Sequence, residues 1–124
     1  MPFKFQTIDH IQLAAPKGSE DTARKFFKDI LRLDEVEKPE SLKKSGGLWF
    51  QFGNYQIHIG IEEPFYPAKK AHPAFAIENL EALKQHLLTN GIEVTEDDRI
   101  PGVKRFFISD PFGNRMEFLE RNKH

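Results

Sequence analysis

Four side chains in this sequence could together bind a divalent metal ion: His10, His58, His72 and Glu117. Imidazole and carboxylate donors suit Fe(II), Mn, Ni or Zn, and two histidines with one carboxylate leave coordination positions open for a substrate. The chain has no cysteine, which excludes a thiolate metal site, a cysteine nucleophile and a disulfide framework. Because a single histidine in a strand is usually structural, the metal hypothesis requires that these side chains share one face of a sheet.

The first of these side chains lies in a predicted strand that leads into a helix. Alternation of apolar and polar residues predicts a strand over residues 8–14, with His10 and Gln12 on the face away from the core. Ser19 is predicted to cap the helix, whose apolar side chains recur at helical spacing: Ala23, Phe26, Phe27, Ile30 and Leu31.

A hairpin is predicted next, after at most a short edge strand within residues 34–45. Two β-rich runs flank Gly53-Asn54, and a two-residue loop at this point pairs Trp49 with His58. Because side chains alternate along a strand, the face away from the core then carries Trp49, Gln51, Gln56 and His58.

The second half repeats this order with a spacing of about 60 residues between corresponding landmarks. A strand is predicted over 71–77 with His72 on the non-core face, and Asn79 is predicted to cap a helix that ends at Gly91. The apolar stripe of this helix comprises Leu80, Leu83, Leu87 and Leu88. A short extended segment over 92–94 follows.

A final hairpin is predicted around the five-residue loop Asp110-Pro111-Phe112-Gly113-Asn114. This loop pairs Phe107 with Glu117 and leaves one face to Arg105, Phe107, Ser109, Arg115 and Glu117. The strands that begin or end each half therefore each present one metal-capable side chain on the non-core face. A sheet that curls would bring these side chains together.

Three segments of the sequence resemble the vicinal-oxygen-chelate superfamily, which includes glyoxalase I, fosfomycin-resistance proteins, extradiol dioxygenases and bleomycin-resistance proteins. They are Asp9-His10-Ile11, Ala71-His72-Pro73 and the stretch over 108–118. The resemblance implies an α+β fold of two βαβββ repeats that form an eight-stranded cup. It further implies one domain over residues 1–124, with halves at approximately 5–62 and 71–120, and a homodimer.

The resemblance also implies a set of metal ligands, His10, His72 and Glu117, with His58 at a fourth position. His58 could be a ligand, an acid–base group or part of the pocket wall. The sequence differs at one or more positions from the residue pattern of each of these activities. Glyoxalase I has a glutamate where this chain has His58, and extradiol dioxygenases have a tyrosine where this chain has Phe107 and a further histidine in the second half. Fosfomycin-resistance proteins often have a hydroxyl residue where this chain has Gln12.

Substrate contacts are predicted on the same non-core faces. Trp49 and Phe107 could stack on a planar substrate or simply line the cup, and Arg105 and Arg115 could each hold an anionic group or form a surface ion pair. The predicted substrate-binding set is Gln12, Trp49, Gln51, Gln56, Arg105 and Phe107.

Composition narrows the function classes. The 124 residues carry a formal net charge of −1, whereas a nucleic-acid binder would be strongly basic. No signal peptide or membrane span is apparent, so a cytoplasmic protein that binds a small molecule is expected. The leading hypothesis is a metal-dependent lyase, dioxygenase or transferase in which His58 or Glu117 moves a proton. The alternatives are a metal-free antibiotic-binding protein of the bleomycin-resistance type and a non-enzymatic dimeric sensor.

Overall fold

The computed structural model describes residues 2–122, and the chain divides into two compact units, Met1–Phe65 and Tyr66–His124. Each unit contains a strand, a helix and three strands in that order, and its four strands form one mixed sheet. The α+β class and the βαβββ repeat predicted from the sequence are therefore confirmed.

The sheet of the first unit has the strand order β1-β4-β3-β2. Strand β1 runs parallel to β4, and the other neighbours are antiparallel. The strands are β1 (His10–Ala15), β2 (Asp34–Val36), β3 (Leu48–Phe52) and β4 (Tyr55–Ile61), and a short 3₁₀ helix (Glu40–Ser45) precedes β3. The β3–β4 hairpin has the predicted register, with Trp49 opposite His58.

Helix α1 of the first unit begins with one α-helical turn (Glu20–Ala23) and continues as a π-helix (Arg24–Ile30). Its apolar stripe packs as predicted, with Phe27 fully buried and stacked 5.5 Å from Phe50 of the sheet. The predicted Ser19 cap is wrong in detail. Ser19 precedes the helix, but its φ of −99° and ψ of 6° differ from the usual extended N-cap conformation, and its side chain makes no capping hydrogen bond.

The sheet of the second unit has the equivalent order β5-β8-β7-β6, again with one parallel pair, β5 and β8. Its elements are β5 (Ala74–Ala76), helix α2 (Leu80–Thr89), β6 (Thr95–Asp97), β7 (Val103–Ser109) and β8 (Arg115–Arg121). The β7–β8 register pairs Phe107 with Glu117, as the loop length predicted. The Asn79 side chain caps α2, and the Glu120 carboxylate of β8 accepts hydrogen bonds from the first amides of the helix.

Three predicted details of the second unit differ from the structure. Strand β5 is shorter than the predicted 71–77, because Pro73 lacks an amide proton for the sheet, and His72 lies just before the strand. Strand β6 begins at Thr95, after the predicted extended segment. Leu88 is 45% exposed, so the buried side of α2 is formed by Leu80 and Leu87.

Within residues 2–122, none of the helices has the length and apolar character needed to span a membrane.

Candidate functional site

Three aromatic rings in the first unit form a continuous stack on the non-core face of the sheet. The His58 imidazole lies 3.9 Å from the Trp49 indole with an interplanar angle of 3°, and His10 lies 4.0 Å from His58 at 18°. The stack follows from the sheet register, because Trp49 is directly opposite His58 and β1 runs alongside β4. His58 is thereby held between two flat rings and is only 5% exposed.

A chain of side-chain amides determines which nitrogen of His58 carries the proton. Gln51 donates to the Gly53 carbonyl, so its amide oxygen faces Gln56, which donates to it over 3.5 Å. The Gln56 oxygen then accepts from His58 Nε2 at 2.8 Å, which leaves Nδ1 as the basic nitrogen of the neutral ring. Burial lowers the pKa of His58, and the neighbouring His10 and Lys38 lower it further while Asp9 acts in the opposite direction. His58 is therefore a neutral base at pH 7.

His10 is oriented by its neighbour in the chain. Its Nδ1 lies 2.8 Å from an Asp9 carboxylate oxygen, so Nδ1 carries the proton and Nε2 is free to bind a metal. A pocket of about 510 Å³ opens beside this pair, and its wall includes Gln12, Lys38, Trp49, Gln56 and His58. The pocket thus combines a basic imidazole, amide groups and one aromatic surface.

The second unit pairs the other two predicted ligands. His72 Nε2 lies 2.9 Å from Glu117 Oε1, and His72 Nδ1 lies 2.9 Å from the Lys70 carbonyl oxygen. Because a carbonyl can only accept, Nδ1 donates, and the lone pair of a neutral His72 points from Nε2 at the carboxylate. The Nε2 lone pair and the negatively charged carboxylate repel each other unless a proton or a metal cation lies between them.

Glu117 is buried, and a second charge network surrounds it. Arg105 donates to Glu117 Oε2 at 3.3 Å and lies 3.2 Å from the Asp97 carboxylate, which also pairs with Arg99. These arginines hold the pKa of Asp97 far below its usual range, with the Arg99 hydrogen bonds as the largest cause. The carboxylate of Glu117 thus lies beside the Arg105 guanidinium on the non-core face of the sheet.

The loop between β7 and β8 has a structural role. Asp110 is buried and accepts hydrogen bonds from the amides of Phe112 and Asn114 and from the Asn114 side chain. The Asn114 side-chain oxygen Oδ1 in turn accepts from the Ala68 amide. This network fixes the turn and the start of β8, and therefore the strand position from which Glu117 projects.

The donor set fits a divalent metal. In a metal centre with ligands at about 2.1 Å, two adjacent donors at right angles are about 3.0 Å apart, close to the 2.9 Å between His72 and Glu117. Each proposed histidine ligand also has its second ring nitrogen held by an oxygen atom, the usual outer-shell partner of a ligating histidine. Within either unit, the described residues contain no group of three His, Cys, Asp or Glu side chains that could hold a metal. The convergence of His10 with His72 and Glu117 stays a prediction.

The structure thus gathers the predicted site residues into two groups. The pocket of the first unit is lined by His10, Gln12, Trp49, Gln56 and His58. Gln51 accepts a hydrogen bond from the Gln56 side chain. In the second unit His72, Arg105, Phe107 and Glu117 lie together.

Sequence reasoning missed three residues at these sites. Asp9 orients His10, Lys38 lines the pocket, and Asp97 pairs with Arg105. The role of Asp9 could have been found from the sequence, since it directly precedes His10 in the segment Asp9-His10-Ile11. Lys38 and Asp97 had no such signal, because each reaches its site from a segment without a regular pattern.

Comparison with known proteins identifies the family. Residues 7–118 match the model of the Glyoxalase/Bleomycin resistance protein/Dioxygenase superfamily. The chain belongs to this superfamily, the vicinal-oxygen-chelate group. No curated protein sequence matches the chain significantly.

Solved structures agree with this assignment. A Bacillus anthracis protein described as a glyoxalase family member is 52% identical, with a TM-score of 0.95, and the match covers 98% of this chain and 100% of that one. A glyoxalase family protein from Enterococcus faecalis is 25% identical, with a TM-score of 0.75 and coverage of 94% and 98%. A fosfomycin resistance protein from Listeria monocytogenes shares the fold at 17% identity, with a TM-score of 0.76 and 94% of both chains covered.

Proposed function

We propose that this vicinal-oxygen-chelate protein is a metal-dependent enzyme that acts on a small oxygenated or electrophilic molecule. The observation that carries the proposal is the His72–Glu117 pair, in which the imidazole Nε2 and a carboxylate oxygen lie 2.9 Å apart while the other imidazole nitrogen is fixed by the Lys70 carbonyl. Such a pair attracts a cation. The proposed ligands are His72, Glu117 and His10, and the proposed metal is Fe, Mn, Ni or Zn.

A bound metal would supply Lewis acidity toward two neighbouring oxygen atoms of the substrate. The chain's own residues then have separate roles. His58 is proposed to accept a proton at Nδ1, because its Nε2 is committed to Gln56 and burial keeps the ring neutral. Glu117 is proposed as the second proton-transfer group. Gln12, Trp49 and Gln56 are proposed to orient the substrate in the first unit. In the second unit Phe107 is proposed to contact the substrate, and Arg105 is proposed to act through Glu117, which it holds.

We also propose that residues 1–124 form a single domain that functions as a homodimer. Apolar side chains near the N-terminus support this assembly. Phe3, Phe5 and Ile8 are 65%, 89% and 68% exposed, and their burial against a second copy would remove a large apolar surface from water.

The proposal is tested by thermal melting of metal-free protein with added Mn, Ni, Zn or Fe(II) at pH 7.5. A metal that binds the folded state raises the melting midpoint, and this gain should shrink toward pH 5.5 because protons and metal compete for the same nitrogens. The H72A variant should lose the gain. The H86Q variant, which alters helix α2 outside the site, should keep it.

Two outcomes would overturn the metal proposal: no metal shifts the midpoint of the parent, or H72A responds as the parent does. Either result would favour the second candidate, a metal-free binding protein of the bleomycin-resistance type. The roughly 510 Å³ pocket with its stacked Trp49, His58 and His10 supports that candidate, since it offers an aromatic surface and polar walls without any metal.

A further inference from the structure

The two arginines on the non-core face of the β7–β8 hairpin have different surroundings. The terminal nitrogens of Arg105 pair with Glu117 and Asp97, and its side chain is only 14% exposed. Its charge is therefore neutralised by two carboxylates within the protein. Arg105 is well placed to hold Glu117, and both of its terminal nitrogens already have carboxylate partners.

Arg115 has a guanidinium without a carboxylate partner among the described residues. Its central carbon lies 4.0 Å from the centroid of the Phe107 ring, a close cation–π contact. Phe107 is buried, so the aromatic platform is rigid. A guanidinium that stacks on an aromatic ring still has its N–H groups available at its edge, where two of them can bind two oxygens of one anion.

The position of Arg115 relates it to the proposed metal ligands of the same unit. Arg115 pairs with Ser109, and the adjacent same-face pair is Phe107 with Glu117. The Phe107 ring also meets the edge of His72 at 5.4 Å between centroids. A single aromatic ring thus contacts both the free guanidinium and a proposed ligand, and residues two apart on a strand are separated by roughly 6–7 Å.

We propose that Arg115 anchors an anionic group of the substrate, a carboxylate or a phosphate, beside His72 and Glu117. The inference rests on the proposed function only in assigning this anion to the substrate of that site. Phe107 is the platform that orients the guanidinium, and Arg105 holds Glu117 instead of the substrate. The anion and the oxygens that react would lie about one strand repeat apart, so the substrate class is a small molecule with an anionic group near its oxygenated centre.

The test is a titration of the full chain with inorganic phosphate, followed by NMR of the arginine Nε–Hε signals at constant ionic strength. Two charge-assisted hydrogen bonds predict a saturable shift of the Arg115 signal with a dissociation constant in roughly the millimolar range. The Arg105 signal is the internal control and should not move. A parallel titration with acetate distinguishes a carboxylate site from one that prefers phosphate.

Variants separate Arg115 from general surface charge. R115Q should weaken phosphate binding at least tenfold, whereas R121Q, a matched control at the exposed end of the same strand, should leave it unchanged. R115K keeps the charge but not the fork, so it should bind severalfold more weakly than the parent. If the Arg115 signal does not respond, or if R115Q binds phosphate as the parent does, the inference is wrong.

The metal-melting experiment keeps the two proposals distinguishable. If phosphate moves the Arg115 signal but no metal raises the melting midpoint, the anion anchor stands and the metal-dependent function fails. If metal raises the melting midpoint but neither phosphate nor acetate shifts the Arg115 signal, the metal-dependent function stands and the anion anchor fails. The H72A variant should lose the metal response and retain the phosphate response.

Discussion

The imidazole of His58 lies flat against the indole of Trp49, with ring centroids 3.9 Å apart. Trp49 is the only tryptophan in the chain, so its fluorescence reports on this one contact. A proton on His58 places a positive charge against the excited indole, and we expect the emission to fall. Because burial lowers the pKa of His58, the midpoint of the fall should lie below the ordinary value of about 6.5.

The same pKa shift makes a prediction for stability. The folded pKa of His58 is lower than the unfolded one, so its contribution is complete above about pH 6.5 and is lost as the pH falls toward the folded pKa. Denaturant unfolding of metal-free protein between pH 8 and 5 would measure this loss, and H58Q should flatten it. A fluorescence midpoint above 6.5, or an H58Q profile with the parent's slope, would contradict the assignment of His58 as a neutral base.

The hairpin registers were predictable because a turn of known length fixes every pair along two antiparallel strands. That is why Trp49 and His58, or Phe107 and Glu117, could be paired from the sequence alone. Charge partners were not predictable in this way. Arg105 meets Asp97 through the β6–β7 pairing, whose register depends on a loop without a clear turn signal.

The distinction between Arg105 and Arg115 shows the same limit at the site. Both occupy the same face by strand alternation, and the sequence allowed either one to hold an anion or an ion pair. Only tertiary contacts decide which guanidinium is neutralised. Asp97, which pairs with Arg105, lies on another strand, and Phe107 contacts both guanidinium groups.

Removal of the Asp110 carboxylate should destabilise the second unit. D110A leaves two backbone amides and the Asn114 side chain without their acceptor in a buried turn, and we expect a loss of about 2–4 kcal/mol. D110N keeps one oxygen for the backbone amides and should lose less. Chemical denaturation measures both variants, and a D110A loss below about 0.5 kcal/mol, the usual range for surface substitutions, would contradict a structural role.

Sedimentation equilibrium should give twice the 14.4 kDa mass of the chain at micromolar concentration. If Phe5 contacts the second copy, F5S should weaken the dimer by about 1.5–3 kcal/mol, or at least tenfold in the dissociation constant. K17S, which removes an exposed charge instead, is the matched surface control. A parent that sediments as a monomer would rule out the dimer, and an F5S dimer of parental strength would place the interface elsewhere.

The last prediction concerns the approach of the chain to strand β4 beside the pocket. Gly47 has a φ of +85°, and a Cβ at this position would lie 2.1 Å from the Ile59 carbonyl oxygen, closer than any real contact. Because that atom belongs to the backbone of a central strand, it cannot move aside, and G47A should lower the free energy of unfolding by more than about 4 kcal/mol. The matched control is G102A, whose φ of +77° is equally left-handed but whose Cβ would meet nothing within 4 Å. It should lose only the backbone cost of about 1–2 kcal/mol. Denaturant unfolding compares the two directly, and equal losses would mean that the close approach of Gly47 to β4 contributes nothing to the fold.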